Sequence, residues 1–398
     1  MLVGVIGKPN VGKSTFFAAA TMKEVQIADY PFTTIEPNVG VGYLTTDCVC
    51  RELGLTDNPR NSICMDGVRM IPVKLVDVAG LVEGAASGRG RGNQFLDELR
   101  QADALIQVVD ASGSTDSEGR RAPAGSNDPV ADVVMVEREF DMWIFGLLKR
   151  DWEKNARLSE QAGGKTAESV ASRLSGLSVS AVDVEESALK LGLKLDKPTS
   201  WTDEQILQFA THLRSSTKPS LIAANKSDLP TSVAGIERLK ATGRRVIPCA
   251  SEAELLLRRA AERGLVKYRP GDGEFKVVSE QSLSQAQASA LRTVDERVMK
   301  PFGGTGVQRA INEAYFSLLN AVVVFPVEDE NKMTDKNGNV LPDAFVMKGG
   351  STALDLARTV HSQLAEGFLY AIDARTKKRV AADYVLRNRD VLKIVSTR

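Results

Sequence analysis

The octapeptide Gly7-Lys8-Pro9-Asn10-Val11-Gly12-Lys13-Ser14 follows the apolar run Leu2-Val3-Gly4-Val5-Ile6 and precedes a helix start. A glycine-rich turn between a strand and a helix aims backbone N–H groups and the positive end of a helix dipole at an anion. Lys13 can then neutralise a β/γ-phosphate, and the Ser14 hydroxyl can ligate Mg²⁺. Asn10, Val11, Gly12, Lys13, Ser14 and Thr15 are therefore the expected phosphate-binding residues.

Two further boxes follow in the order a nucleotide site needs. Val73-Lys74-Leu75-Val76 reads as a strand running into Asp77-Val78-Ala79-Gly80. An Asp at that strand end can hold Mg²⁺ through water, and the Gly80 N–H can meet a γ-phosphate. Ser220-Leu221-Ile222-Ala223-Ala224 is another strand-like run and delivers Asn225-Lys226-Ser227-Asp228. The Asp228 carboxylate can accept both N1–H and N2–H of guanine, whereas adenine has no matching donor pair, so GTP is expected over ATP. After the second box, Gly80, Gly84, Gly88, Gly90 and Gly92 fall within thirteen residues, with Arg89 and Arg91 between them. Such a segment is expected to order on a γ-phosphate; its arginines read as solvated loop residues, with an internal charge-stabilising finger as the alternative.

With 398 residues, 43% apolar and 26% charged, the chain can bury a large core and divide into two or three domains. Lys plus Arg and Asp plus Glu number 51 each, so no global field drives nucleic-acid binding. Met1 leads directly into the first strand and no apolar run approaches membrane-spanning length; a cytoplasmic address without membrane partners is expected. Cys48, Cys50 and Cys64 cluster in sequence and Cys249 lies far away. A disulfide is not expected in a reducing compartment, and three thiols with no nearby His make an incomplete zinc set, so these read as reduced cysteines of a loop or hairpin. His212 and His361 sit in separate amphipathic segments and read as helix-face residues.

Spacing sets the domain plan. Asp110 should end a strand, yet 114 residues separate it from Asn225, far more than one crossover helix needs. Residues 114–128 are rich in Gly, Ser, Asp and Pro, and Asp128-Pro129 reads as an N-cap with Pro in the first turn. Val133, Val136, Phe140, Trp143 and Leu147 then recur at helical spacing, as do Val184, Ala188, Leu191 and Leu195. Thr202-Asp203-Glu204-Gln205 has capping-box form before Ile206, Phe209, Ala210 and Leu213. The expected plan is a nucleotide domain over 1–113 and 216–275, a helical insert over 114–215 with its stripes as internal core, a helical connection over 276–319, and a small α+β domain over 320–398. In the last, strands are expected at Val322–Val327, Leu369–Ile372 and Val391–Val395, with a helix from Thr352 to Ala365.

The chain resembles an Obg-like GTPase of the YchF-related branch. The likeness rests on Tyr30-Pro31-Phe32-Thr33-Thr34-Ile35-Glu36-Pro37-Asn38, Asp77-Val78-Ala79-Gly80-Leu81-Val82, Gly88-Arg89-Gly90-Arg91-Gly92-Asn93-Gln94-Phe95-Leu96 and Asp110-Ala111-Ser112, and runs to the far carboxyl end. The carboxyl-terminal unit resembles a TGS domain, a ubiquitin-like β-grasp module, through Gly350-Ser351-Thr352-Ala353-Leu354-Asp355-Leu356-Ala357 and Asp390-Val391. The implied fold is an α/β P-loop NTPase with a parallel sheet and a helical insertion, followed by a TGS-like β-grasp domain. The resemblance makes Thr34, with Thr33 as the alternative, the switch threonine that closes over Mg²⁺ and the γ-phosphate, and puts Lys13, Thr34 and Gly80 at the chemistry.

Two departures from the family pattern, and one from Ras-like enzymes, bear on activity. YchF proteins proper usually carry Glu at the position of Asp228, a change linked to ATP use, so the intact Asp points to GTP. The fifth motif reads Cys249-Ala250-Ser251 where Ser-Ala is usual, leaving Ala250 or Ser251 to offer an N–H to the base oxygen. Leu81 stands where Ras-like enzymes place the water-orienting Gln. The resemblance therefore implies slow intrinsic turnover with water positioned by another group, a partner or a monovalent cation, and Asn10 matches a P-loop asparagine that binds K⁺ in some such enzymes; ordinary turn chemistry is its alternative role. Between Phe345 and Arg398 there are ten Lys or Arg and five Asp or Glu, with Arg375, Lys377, Lys378 and Arg379 at one turn. Such a cluster can meet RNA phosphates, and the resemblance tilts the expected partner to the ribosome or structured RNA. A GTP/GDP switch is the leading reading; a YchF-type ATPase and a nucleotide-gated binding module with negligible turnover are the alternatives.

Overall fold

A computed structural model describes residues 1–21, 38–78, 80, 84 and 99–397. Thr33, Thr34, Leu81, Arg89 and Arg91 lie outside the described residues. The first part of the chain forms strands β1 (Leu2–Ile6), β2 (Val39–Asp47), β3 (Ile63–Met65), β4 (Val68–Asp77), β5 (Ala104–Asp110), β6 (Ser220–Asn225) and β7 (Val246–Pro248). Contact density groups Leu2–Ala19 with Val76–Ala310, and Ala20–Leu75 with Ile311–Arg398.

In the first unit, β1, β5, β6 and β7 lie side by side in that order, all parallel. Strands covered on both faces need continuous apolar runs, and β5 is buried at every position. The phosphate loop, Asp110 and Asn225 follow or end β1, β5 and β6, so all three leave the sheet at the carboxyl ends of parallel strands, where α/β sheets bind ligands.

The crossover from β5 to β6 holds helices Pro129–Lys149, Trp152–Gln161, Thr166–Arg173, Ala181–Lys190 and Asp203–Thr217. Asp128 caps the first through Val130 N, with Pro129 in the first turn. Val133, Val136, Phe140 and Trp143 are buried as the spacing predicts, but Leu148 rather than Leu147 continues the stripe, because Phe140, Ile144 and Leu148 form an i, i+4 row. The helix Ala181–Lys190 ends before Leu191 and Leu195, at a turn through Gly192 with φ +65°. The capping box at Thr202 and Gln205 forms reciprocally, at 3.2 and 2.9 Å, and Ile206, Phe209, Ala210 and Leu213 are all buried. Phe209 meets Trp201 edge-on at a centroid distance of 5.1 Å, and Trp201 meets Trp152 at 5.4 Å. The inserted helices thus turn their stripes on one another. Residues 276–310 are no spacer either: Leu291, Val294, Val298 and Met299 share a core with Ala253 and Leu257 of helix Ser251–Glu262.

In the second unit β2 lies beside β4, and β3 pairs antiparallel with β4 through the turn Asp66-Gly67, whose φ values of +49° and +75° suit a type I′ hairpin. The carboxyl-terminal sheet has the order β11-β10-β14-β12-β13 and is built from β10 (Val322–Val327), β11 (Phe345–Met347), β12 (Phe368–Asp373), β13 (Arg379–Val380) and β14 (Asp390–Ser396), with β8 (Val266–Lys267) and β9 (Lys276–Val277) preceding it in the chain. Only β10 and β14 pair parallel in it. Helix Ala353–Val360 carries a capping box from Thr352 and buries Ala353, Leu356 and Ala357; the expected longer helix is broken at His361, which is extended at φ −163°. The sheet-and-helix unit is the β-grasp module expected from the sequence. Its basic turn is partly committed within the fold: Arg375 pairs with Glu52 at 2.8 Å, as does Arg389 from outside the turn, and Arg379 stacks over Tyr370 at 4.3 Å. Lys378 and Arg387 are exposed.

The grouping of residues 20–75 with the carboxyl-terminal module departs from the expected domain plan, and its cause is a run of backbone pairing. Asn58 N donates to Val340 O at 3.1 Å and Arg60 N to Pro342 O at 2.7 Å. Asn61 closes a reciprocal pair with Ala344, at 3.1 and 2.9 Å. Among the described residues, no helix is long and apolar enough to cross a membrane.

Phe209 is fully buried and edge-packed, so Phe209→Ala is expected to destabilise the fold by about 3–5 kcal/mol. Urea denaturation checks this: the midpoint should fall with the slope unchanged, whereas an unmoved midpoint would show that the insert contributes nothing to the core.

Candidate functional site

The phosphate loop is shaped by two glycines. A Cβ at Gly7 would meet Val108 O at 2.5 Å, and Gly12 holds φ +89° where a Cβ would strike Asn225 Nδ2. Asn10 takes the left-handed conformation at φ +63°, which a short amide side chain tolerates. Helix Lys13–Ala20 starts at once, its first ladder bond running from Phe16 N to Gly12 O at 2.8 Å. Its first-turn N–H groups, from Lys13 to Thr15, have no carbonyl of their own helix to serve and are suited to phosphate oxygens.

Asp77 closes β4, and the following Val78 N–H is fixed to Val5 O at 3.1 Å. This brings the Asp77 carboxylate into ion-pair contact with the Lys13 ammonium. The two groups that sequence reasoning gave to phosphate and Mg²⁺ thus share one point in space. Lys13, Ser14, Thr15 and Gly80 line a cleft of about 820 Å³, within the usual size of small-ligand sites.

The base-side loop is joined to the phosphate loop by one side chain. Asn225 is buried; its Nδ2 donates to Val11 O at 2.9 Å, while its Oδ1 accepts from Ser251 N at 3.1 Å and Ser251 Oγ at 2.8 Å. Both hydrogen-bonding ends of the amide are used, so the three loops hold a single spacing. Lys226, at φ +60°, donates to Asp110 Oδ2 at 2.8 Å and lines the cleft. Asp110 also accepts from Ser112, Ser114 and Thr115 hydroxyls at 2.5, 2.8 and 3.1 Å. Burial alone would raise its pKa, but the bonds from Lys226, Ser112 and Ser114 outweigh burial and hold it below the ordinary carboxylate range. Asp228 lies half-buried in the turn after β6. The N–H groups of the fifth motif are engaged within the fold, that of Ala250 by Thr305 O at 2.9 Å and that of Ser251 by Asn225. A base oxygen contacting either one competes with that partner.

Sequence reasoning missed the outer wall. The polar segment 114–128, read there only as a loop, packs on the phosphate loop: Asn10 Nδ2 donates to Gly119 O at 2.7 Å, and a Cβ at Gly119 would meet Pro9 O at 2.5 Å. Lys8, 1% exposed, donates to Thr115 O at 3.1 Å and pairs with Asp132 of the first inserted helix at 2.7 Å. Burial raises the Asp132 carboxyl pKa despite that lysine. Arg121 of the same segment lines the cleft. The Gly-Ser-Asp composition showed only that the segment turns; nothing local showed where it lands.

Three known families match the chain: one described as a 50S ribosome-binding GTPase over residues 2–134, one as an Obg-like GTPase, YGR210-like, G4 motif-containing domain over 223–329, and a TGS domain over 337–396. A GTP-binding protein of Methanocaldococcus jannaschii, MJ1332, is 50% identical over 99% of both chains. The ribosome-binding ATPase YchF of Bacillus subtilis is 27% identical over 93% of this chain and 87% of its own. The crystal structure of a GTP-binding protein from Pyrococcus horikoshii covers 100% of both chains at 43% identity and a TM-score of 0.78. A likeness that runs unbroken from the phosphate loop to the TGS module makes the chain a member of the Obg-like P-loop GTPases, on their YchF-related branch.

Proposed function

We propose that the chain is a cytoplasmic GTP-hydrolysing switch whose nucleotide state is read by the ribosome or structured RNA. The observation that carries the nucleotide assignment is the Asn225 amide, which locks the guanine-type loop to Val11 of the phosphate loop at 2.9 Å. Phosphates fit the amino-terminal end of helix Lys13–Ala20, with the Lys13 ammonium exchanging Asp77 for phosphate oxygens and the Gly80 N–H meeting the γ-phosphate. Mg²⁺ suits the same point, because the Ser14 hydroxyl and Asp77 carboxylate are hard oxygen donors and Asp77 already faces a cation. Ser14, Asp77 and, from outside the described residues, Thr34 would hold it, and the ion would neutralise charge on the β- and γ-phosphates.

Asp228 decides the base. Its carboxylate accepts two donors from guanine, whereas an amide at that position would present a donor to the 2-oxo group of xanthine. The second reading, an ATPase, is favoured by the name of the Bacillus subtilis relative. Asp228→Asn is expected to weaken GTP binding by about tenfold to a hundredfold and to improve xanthosine triphosphate binding. Unchanged GTP affinity in a fluorescent-nucleotide competition would contradict the assignment.

Turnover is slow in this reading, since Leu81 cannot orient water. Asn10 Nδ2 is committed to Gly119, which leaves Oδ1 as the atom for a K⁺ ion that assists hydrolysis. Single-turnover hydrolysis is then faster in K⁺ than in Na⁺, and equal rates would remove the cation. For the output, GTPγS-loaded protein is expected to co-sediment with ribosomes more than GDP-loaded protein; equal pelleting would refute the switch while leaving nucleotide binding intact.

A further inference from the structure

Cys48, Cys50 and Cys64 gain a fourth member that their spacing in sequence did not show. The loop after helix Val49–Leu53 turns back through Gly54, at φ +65°, and brings in Asp57. The three sulfurs and a carboxylate oxygen of Asp57 all lie within 4.8 Å of one another. Cys48 Sγ is 3.2 Å from Asp57 Oδ2, and Cys50 Sγ is 3.8 Å from Cys64 Sγ. A tetrahedron with Zn–S bonds of about 2.3 Å has sulfur–sulfur edges of about 3.8 Å. A disulfide needs about 2.05 Å instead. The cluster therefore has the span of a closed four-coordinate site. It draws on a helix N-cap, its first turn, a loop and a hairpin strand, so it is set by the fold rather than by one flexible segment.

A second observation points the same way. Arg69 is fully buried, its Nη1 is 3.5 Å from Asp57 Oδ2, and its Nε and Nη1 have no hydrogen-bond partner. Its Nη2 reaches Leu341 O, and its guanidinium lies 5.3 Å from the Phe325 ring centroid. A buried guanidinium with two unused donors is costly unless negative charge gathers beside it. Three thiolates and a carboxylate around a divalent cation carry a net charge of −2, which the Arg69 guanidinium, already ion-paired with Asp57, partly offsets.

We propose that Cys48, Cys50, Asp57 and Cys64 form a structural site for one thiophilic divalent cation, zinc by its ligand chemistry. Binding forms three S–metal bonds and one O–metal bond, and the thiol protons leave to solvent, with no change of oxidation state. The site has all four positions filled by protein, which marks it as structural rather than catalytic. Its role follows from its neighbours: residues 58–61, directly after Asp57, hydrogen-bond through the Asn58 and Arg60 backbone and the Asn61 side chain to the backbone of residues 340–344 of the carboxyl-terminal module. The cation staples the platform on which that strand approach docks.

The test uses the full chain. Metal analysis of protein purified without chelator is expected to give one zinc per chain. Protein stripped by chelator and titrated with Co²⁺ should develop thiolate-to-cobalt charge-transfer absorption and tetrahedral ligand-field bands, displaced by Zn²⁺. Asp57→Asn, which keeps the side-chain volume, should weaken Co²⁺ binding about tenfold or more, and Cys50→Ser with Cys64→Ser should abolish it. The wild-type spectrum decides without any variant. A chain free of zinc whose Co²⁺ titration shows no thiolate charge-transfer band overturns the site, as does a Cys50–Cys64 disulfide found by mass spectrometry of protein alkylated at harvest.

Discussion

The nucleotide site depends on the buried amide of Asn225. With Nδ2 on Val11 O and Oδ1 on Ser251, the amide fixes the spacing between the loops after β1, β6 and β7. A nucleotide long enough to touch both phosphate loop and base box needs that spacing set before it binds; otherwise ordering the loops would be charged against affinity. Gly12 belongs to the same constraint, since a side chain there would occupy the space of the amide.

Three lysines around the cleft divide the remaining work by burial. Lys8 is sealed against Asp132 and the Thr115 carbonyl and anchors the phosphate loop to the first inserted helix. Lys226 is held by Asp110, itself satisfied by three hydroxyls, so it keeps its place in the cleft lining. Lys13 and Asp77 form the pair proposed to be separated by a ligand, and both side chains retain partial access to solvent, 11% and 22%. The carboxylates mark the difference: Asp77 is 22% exposed against 13% for Asp132 and 0% for Asp110, so the Lys13–Asp77 pair is the one we propose a phosphate and its cation separate.

What was legible in sequence was local. The strand–Gly-rich turn–helix unit, the Asp at the end of β4, the capping box at Thr202, the helix start at Thr352 and the stripe through Ile206, Phe209, Ala210 and Leu213 each rest on neighbours within a few residues. What was missed lies between distant segments. Asn61 and Ala344 are 283 residues apart, and Lys8 and Asp132 are 124 apart. No periodicity encodes such pairings. Asp57 was missed as the companion of the three thiols because a lone carboxylate in a polar loop carries no spacing signal, and the reach of Gly119 onto Pro9 was hidden in a segment whose composition reports only turns. The basic turn was overcounted as free charge for the same reason: Glu52, which engages Arg375 and Arg389, lies more than 300 residues earlier, 323 from Arg375.

We propose that one preorganised cleft takes Mg·GTP and selects guanine through Asp228. Titration calorimetry of the wild-type chain with GTPγS and with ATPγS, each with Mg²⁺ in K⁺ buffer, tests it most directly. The account predicts one site per chain with clear preference for GTPγS; equal or tighter binding of ATPγS would contradict it.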